Sequence, residues 1–440
     1  MWNWIPTVYL AEGLPYFAVN TLTVLMYTNM GMSKRQMAFL TGWLYLPWVI
    51  KPFWSPFVDL FRTKRYWVLA MQLAIAVAAA GIALALTTQV WLALTLTFFW
   101  IMAFASATHD ISADGLYIIA LDEQQQAAYV GVRSTFYRIA SVLGQGGLVM
   151  LAGWLETSVG DVPQAWSLTF GLLSLFFFML FFWHMRVLPR SAADHAVGGV
   201  TARSIVSNFL LTFVTFFRKP GIVQAVLFML LYRMPEALCV KLVQPFLKDS
   251  HAMGGLQLTT SQIGFANGTV GVIALLAGGV LGGLVIARGG LRRWMWPMAL
   301  SLTLPCVVYC YLAAIQPESF ILTATLIGIE QFGYGFGFTS FMLYMMYFSR
   351  GESSTSHYAF CTAFMALGMM LPGMLAGVIF EWFETSEWIS SAGSLMSCIA
   401  PQDAAASMGY AGFFMFVMLT TLVTFAVTFS VWRNLDKSAH

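Results

Sequence analysis

At 440 residues, 59% of them hydrophobic and 9% charged, the chain has too few charges to coat a soluble globule, whose charged fraction is usually about 25%. Its mean hydropathy of +0.75 comes from long apolar runs, which exclude the short alternating strands of an outer-membrane barrel and call for helices crossing a hydrocarbon core of about 30 Å. The formal net charge of +3 is too small and too scattered to point to nucleic acid.

Taken in chain order, apolar windows of about twenty residues predict twelve spans, at 4–30, 36–58, 66–87, 91–119, 127–154, 164–185, 221–247, 260–287, 294–315, 319–347, 355–383 and 408–432. The first begins almost at Met1, without a basic n-region or a small-residue cleavage site, and reads as a retained helix. The longest interruption, Arg186 to Gly221, separates two six-helix halves at 1–185 and 221–440. Within this linker, 186–220, the apolar stretch Ile205 to Phe217 ends in Arg218 and Lys219 and predicts a helix lying at the membrane surface. Most of the Lys and Arg, among them Arg62, Arg65, Arg288 and Arg350, fall on the side shared by both termini, whereas Lys34, Arg35 and Lys248 fall on the other. By the positive-inside rule the termini are expected in the cytoplasm. The five cysteines are odd in number and mostly within spans, a poor basis for a disulfide framework or a metal site.

Ionisable groups inside the spans carry the functional signal, because a charge near the bilayer centre persists only where it is paired or meets water. The first span holds Glu12, the second Lys51, the fourth His109, Asp110 and Asp114, and the fifth Arg138. The seventh holds Arg233, Glu236 and Lys241, and the tenth Glu330. The third, sixth, ninth and twelfth hold none in their interiors. A bundle whose every third helix faces lipid, the others surrounding a central cavity, has this pattern, and it is the arrangement of the major facilitator superfamily.

Depth suggests pairings. At a rise of about 1.5 Å per residue, Asp110 and Arg138 lie at matched depth on consecutive helices and are expected to pair. Asp114 and Arg133 join them in an expected network of four, and Glu12 and Lys51 lie level on the first two helices. Arg233, Glu236 and Glu330 fall near the midplane of the second half. Such pairs serve either as structural ties or as parts of a polar pathway. Five carboxylates against four cations leave one acid without a partner. Glu12, Asp110, Asp114, Glu236 and Glu330 are therefore candidates for carrying a proton. His109 is another, with an ordinary buried hydrogen-bonding role as the alternative.

Arg233 suits a substrate carboxylate, its guanidinium fork being neutralised by Glu236 when the site is empty. Lys51, Arg138, Gln331 and Tyr334 are further substrate candidates. Gln331 sits beside, and Tyr334 within, "FGYGFGF", Phe332 to Phe338, which reads as tight helix packing or as a flexible wall for a sugar ring. Asp59, followed by Arg62 and Arg65, ends the second span and is a candidate gate. No nucleotide-binding glycine loop, HExxH or Cys/His cluster is present, so no cofactor or metal is expected. Enzymatic activity is not expected either, although Asp110 with Asp114 has the form of a carboxylate pair.

"YLPWVIKPFWSPFVD", Tyr45 to Asp59, and "ATHDISADG", Ala107 to Gly115, resemble two signatures of the AmpG-like permeases, with Pro52 where Phe is commoner and His109 where Gln is usual. "YRIASVLGQGG", "LYRMPEAL" and "IEQFGYGFG" match further segments in order; the extra helices of longer AmpG members are lacking. The resemblance implies an all-α fold of twelve transmembrane helices in a bacterial inner membrane, importing anhydro-muropeptides by proton symport. The same branch includes siderophore and acetyl-coenzyme A carriers. The expected function is proton-coupled import of a sugar-peptide solute by a monomer, with siderophore import as the alternative. A non-transporting membrane sensor or scaffold is the competing class.

Overall fold

The computed structural model describes residues 1–190, 194, 202–351, 354–385 and 408–435; some side chains within these ranges, Asp59 among them, lie outside the description. All twelve predicted spans fall on helix. Eight continuous helices among the described residues are long and apolar enough to cross a membrane. The first, second and seventh predicted spans are instead built from shorter pieces in line, and the tenth is one continuous helix, Phe320–Ser349, that is less apolar than those eight.

The first combines α1, Ile5–Phe17, a widened π turn, Ala18–Leu22, and α2, Thr23–Asn29. The second is α3, Lys34–Trp43, and α4, Leu46–Leu60, broken at Leu44 and Tyr45 just before Pro47. Next come α5, Lys64–Ala85, and α6, Trp91–Ala120. The fifth span is α7, Glu123–Val142, a π turn at Leu143–Gly147, and α8, Leu148–Val159. The sixth is α9, Val162–Val187, and the linker carries α10, Ala202–Phe217, somewhat longer than the surface helix expected from the sequence.

The seventh is split into α11, Ile222–Leu231, and α12, Met234–Lys248. The eighth runs from α13, Thr260–Ile263, through a π segment into α14, Val272–Gly289. The ninth is α15, Leu291–Thr303, and α16, Val307–Ile315, and three helices complete the chain: α17, Phe320–Ser349, α18, Ser354–Thr385, and α19, Met408–Trp432.

Short polar caps start these helices. Ser33, Thr63, Asp161 and Ser319 each accept a first-turn backbone N–H, and Asp122 with Gln125 and Thr259 with Gln262 form reciprocal boxes. The third, sixth, ninth and twelfth spans turn apolar side chains outward, for example Val77, Leu84, Leu175, Met179, Val307, Leu419 and Leu422. In a bilayer such faces meet acyl chains.

The described chain forms two compact units. One comprises 1–26 and 50–210; the other comprises 27–49 and 211–440. The segment Tyr27 to Val49, which carries α3, thus packs with the second unit although it lies among first-half spans in sequence. In the second unit α14 and α17 run backbone against backbone. A Cβ added at Gly278 would collide with the Phe332 carbonyl oxygen, and one at Gly335 with that of Leu275. Gly333 and Gly337 meet the carbonyls of Ser301 and Met298 on α15 in the same way. The alternating glycines of Phe332 to Phe338 therefore serve close helix approach.

Candidate functional site

In the first unit α1 contributes Tyr9 and Glu12, α4 Lys51, α6 Asp110 and Asp114, and α7 Arg133. The i, i+4 spacing puts both aspartates on one face of α6, and each takes its own cation. Lys51 pairs with Asp110. Arg133 Nη2 lies 2.7 Å from Asp114 Oδ1, which also accepts from the Tyr9 hydroxyl at 3.1 Å. The Arg133 guanidinium stacks over Tyr9 at 4.7 Å and Tyr117 at 5.7 Å.

Glu12, 7% exposed, is in hydrogen-bond contact with Asp110, and its second oxygen is buried without a partner. Two carboxyl groups in that contact need a proton between them. Three acids face two cations, so one bound proton makes the cluster neutral.

The expected pair of Asp110 with Arg138 is not formed. No ion pair joins them; Arg138 is exposed and its Nε donates to Ser134 Oγ at 3.3 Å. Matched depth was the only argument for it, and depth does not say which way a side chain points around its helix. Lys51 takes the place given to Arg138 in the expected network. Sequence reasoning also passed over a buried polar chain. His109 Nε2 lies 3.0 Å from Gln72 Nε2, Gln72 Oε1 2.9 Å from His184 Nδ1, and His184 Nε2 2.8 Å from Thr7 Oγ1. His109, fully buried, thus faces α5 and α9. Gln72 and Thr7 carry no charge, so a search for ionisable groups had no signal for them.

At the expected gate, Arg65 caps the end of α9 by donating to the Met185 carbonyl at 2.7 Å, and Asp194 accepts the backbone N–H groups of Lys64 and Arg65. Arg62, in a left-handed conformation with φ of 71°, stacks on Tyr66. The Asp59 side chain lies outside the described residues.

In the second unit the break before Pro235 places Arg233 at the N-cap of α12. From there its fork reaches Glu236 with two bonds, Nε to Oε2 at 2.8 Å and Nη2 to Oε1 at 2.9 Å. Nη2 also donates to the Tyr334 hydroxyl at 2.6 Å, and the guanidinium lies 4.8 Å from the Phe338 ring centre. Glu330, 4% exposed, accepts from the Tyr309 hydroxyl at 3.0 Å and from Gln331 Nε2 at 2.8 Å. Among the described residues no cation pairs with it. Four free cysteines, Cys239, Cys306, Cys310 and Cys361, and no metal-ligating cluster occur among the described residues.

Each of the two units thus holds partly buried ion pairs and one acid in excess among apolar helices, as a membrane protein that handles charge requires. The Major Facilitator Superfamily model matches residues 7–371, and the chain belongs to that superfamily. An anhydromuropeptide permease of Escherichia coli strain K12 is 24% identical over 387 residues, covering 86% of this chain and 73% of the permease. A Rickettsia conorii protein provisionally named transporter AmpG 4 is 23% identical over 331 residues, covering 73% of this chain and 76% of its own. Among solved structures, an inward-facing, unoccupied bacterial homologue of the lysosomal transporter Spinster superposes with a TM-score of 0.72 at 14% identity. It spans 99% of this chain and 98% of its own length, and at that identity the likeness shows the fold alone.

Proposed function

We propose that the protein is a proton-coupled secondary carrier that imports anhydro-muropeptides or related sugar-peptide solutes across a bacterial inner membrane, with both termini in the cytoplasm. The observation that carries the coupling is the Glu12 and Asp110 contact, inside a cluster of three acids and two cations that one proton neutralises. Glu12 holds that proton in the neutral state, and deprotonation leaves an excess negative charge that only a rearrangement or a new cation relieves. Glu330, bonded to the neutral donors Tyr309 and Gln331 among the described residues, is the corresponding acid of the second unit.

Arg233 receives a carboxylate of the solute. In the empty state Glu236 holds the same fork, so binding is an exchange of one carboxylate for another, and no bare cation is left in the membrane. The name of the Escherichia coli relative supports the solute class. Peptide fragments of cell wall carry the free carboxylates that this exchange needs. The test is uptake of labelled anhydro-muropeptide into inverted and right-side-out vesicles with and without an imposed proton gradient. Accumulation that follows the gradient is expected; accumulation indifferent to it removes the coupling, and none at all removes the solute.

A further inference from the structure

Lys241, on α12, is 1% exposed and has no carboxylate partner among the described residues. Its ammonium donates to Thr41 Oγ1 at 3.0 Å and lies 5.5 Å from the Tyr45 ring centre. Thr41 spends its own proton on the Met37 carbonyl at 2.7 Å, so its oxygen is free to accept from the ammonium. Both Thr41 and Tyr45 belong to the segment Tyr27 to Val49 that packs on the second unit. One helical turn further along α12, the Oε1 atom of Gln244 is buried with no partner. A buried cation that among the described residues is held by a hydroxyl and a ring is poorly compensated, and such a group in a membrane interior marks a ligand or ion path.

The same segment is fastened at points away from Lys241. Lys34 Nζ lies 2.8 Å from Asp249, whose carboxylate also accepts from Tyr410, and it sits over the rings of Phe380 and Tyr410. Asn29 donates to Thr260 at 3.0 Å, and Arg35 pairs with Glu381. Gly377 of α18 lies so close to α3 that a Cβ there would meet the Lys34 carbonyl oxygen and Arg35 Cα. The segment thus covers Lys241 as a strap in this state, through contacts that do not involve Lys241 itself. Were the segment to lift, Lys241 would lose the one hydrogen-bond acceptor and the ring that hold it among the described residues.

We infer that Lys241 is a second anion-binding position, closed by the Thr41 strap in this state and taking a solute carboxylate when the strap lifts. This rests on the reading of the chain as a carrier of carboxylate-bearing solutes. Arg233 and Lys241 are separated along α12 by about 12 Å at 1.5 Å per residue, so the solute class is one with at least two carboxylates. The arrangement couples strap and load: the anion replaces Thr41 and stabilises the lifted strap by its differential affinity for the two states.

The experiment reads strap position directly, with site-specific spin labels at positions 39 and 378, both exposed and both within the second unit. The probes are N-succinyl-Ala-Ala, whose two terminal carboxylates can lie about 11 Å apart when it is extended, and its uncharged diamide. The acid is expected to raise the lifted population at least about threefold and the diamide not at all, since only a ligand with differential affinity shifts the equilibrium. Thr41→Val, which removes the competing acceptor, is expected to lower the concentration of acid needed. Lys241→Met abolishes the response and Lys241→Arg keeps it. If acid and diamide act alike, if neither acts, or if Thr41→Val and Lys241→Met change the acid response in the same direction, Lys241 is a strap anchor only and the inference is overturned. None of these readings depends on muropeptide uptake, so failure of the proposed cargo is seen separately in the vesicle experiment.

Discussion

Replacing Lys51 by Met removes one of two cations from a cluster that holds Glu12, Asp110 and Asp114. Arg133 remains committed to Asp114, so Asp110 is left against Glu12 with no positive partner. Breaking a buried pair in this way costs about 3–5 kcal/mol. The side chains of Lys51 and Asp110 are 29% and 24% exposed, which places the loss at the lower end, about 3 kcal/mol. The double change Lys51→Met with Asp110→Asn removes one charge of each sign and restores the original balance of one surplus acid, so it should recover most of the loss. Glu12→Gln keeps both ion pairs and, with Glu12 holding the proton as proposed, substitutes an amide for a neutral carboxyl, at about 1 kcal/mol or less. The cluster is then neutral without a proton. Thermal aggregation midpoints of the purified protein should therefore rank wild type and Glu12→Gln above the double variant, and that above Lys51→Met. Vesicle uptake should show Glu12→Gln exchanging solute but unable to accumulate it against a gradient. A Lys51→Met protein as stable as the double variant, or a Glu12→Gln protein that still accumulates solute, refutes the charge accounting.

Glu236→Gln should release Arg233 from its internal partner and tighten binding of a carboxylate-bearing solute by up to about tenfold, equal to 1.4 kcal/mol, measured by intrinsic fluorescence titration; weaker binding would mean that Glu236 itself contacts the solute. His109→Gln keeps an acceptor for the Gln72 amide and should remain as stable as wild type, whereas His109→Leu strands that buried amide at about 1–3 kcal/mol, seen as a lowered thermal midpoint. Gly335→Leu drives a side chain into the Leu275 carbonyl and should lose expression and stability by more than the about 1–3 kcal/mol of ordinary overpacking, because backbone cannot rearrange as a side chain can; a normally folded variant would show that α14 and α17 have room to separate.

The twelve spans and the charge-free interiors of every third helix were legible from the chain alone, because a membrane-spanning helix announces itself by about twenty consecutive apolar residues and needs no partner to be recognised. Membership of the first unit's charged cluster was legible for the same reason: Glu12, Lys51, Asp110 and Asp114 are conspicuous where charge is expensive, as is Glu330 in the second unit. Local geometry also gave Arg233 with Glu236, since residues three apart on a helix meet whatever surrounds them.

What tertiary structure alone decided was partnership across helices. Depth matched Asp110 to Arg138 and Lys51 to Glu12, and only the rotation of α4, α6 and α7 brought Lys51 to Asp110. The Gln72 and His184 chain joins helices far apart in sequence through groups without charge, which leave no trace in hydropathy. The adherence of Tyr27 to Val49 to the second unit was equally hidden. Its apolar pattern says only that one face of α3 is buried, and a periodic stripe carries no information on which helix will cover it; Gly42 and Gly377 set that choice through backbone approach to α18, which exists only once both helices are in place.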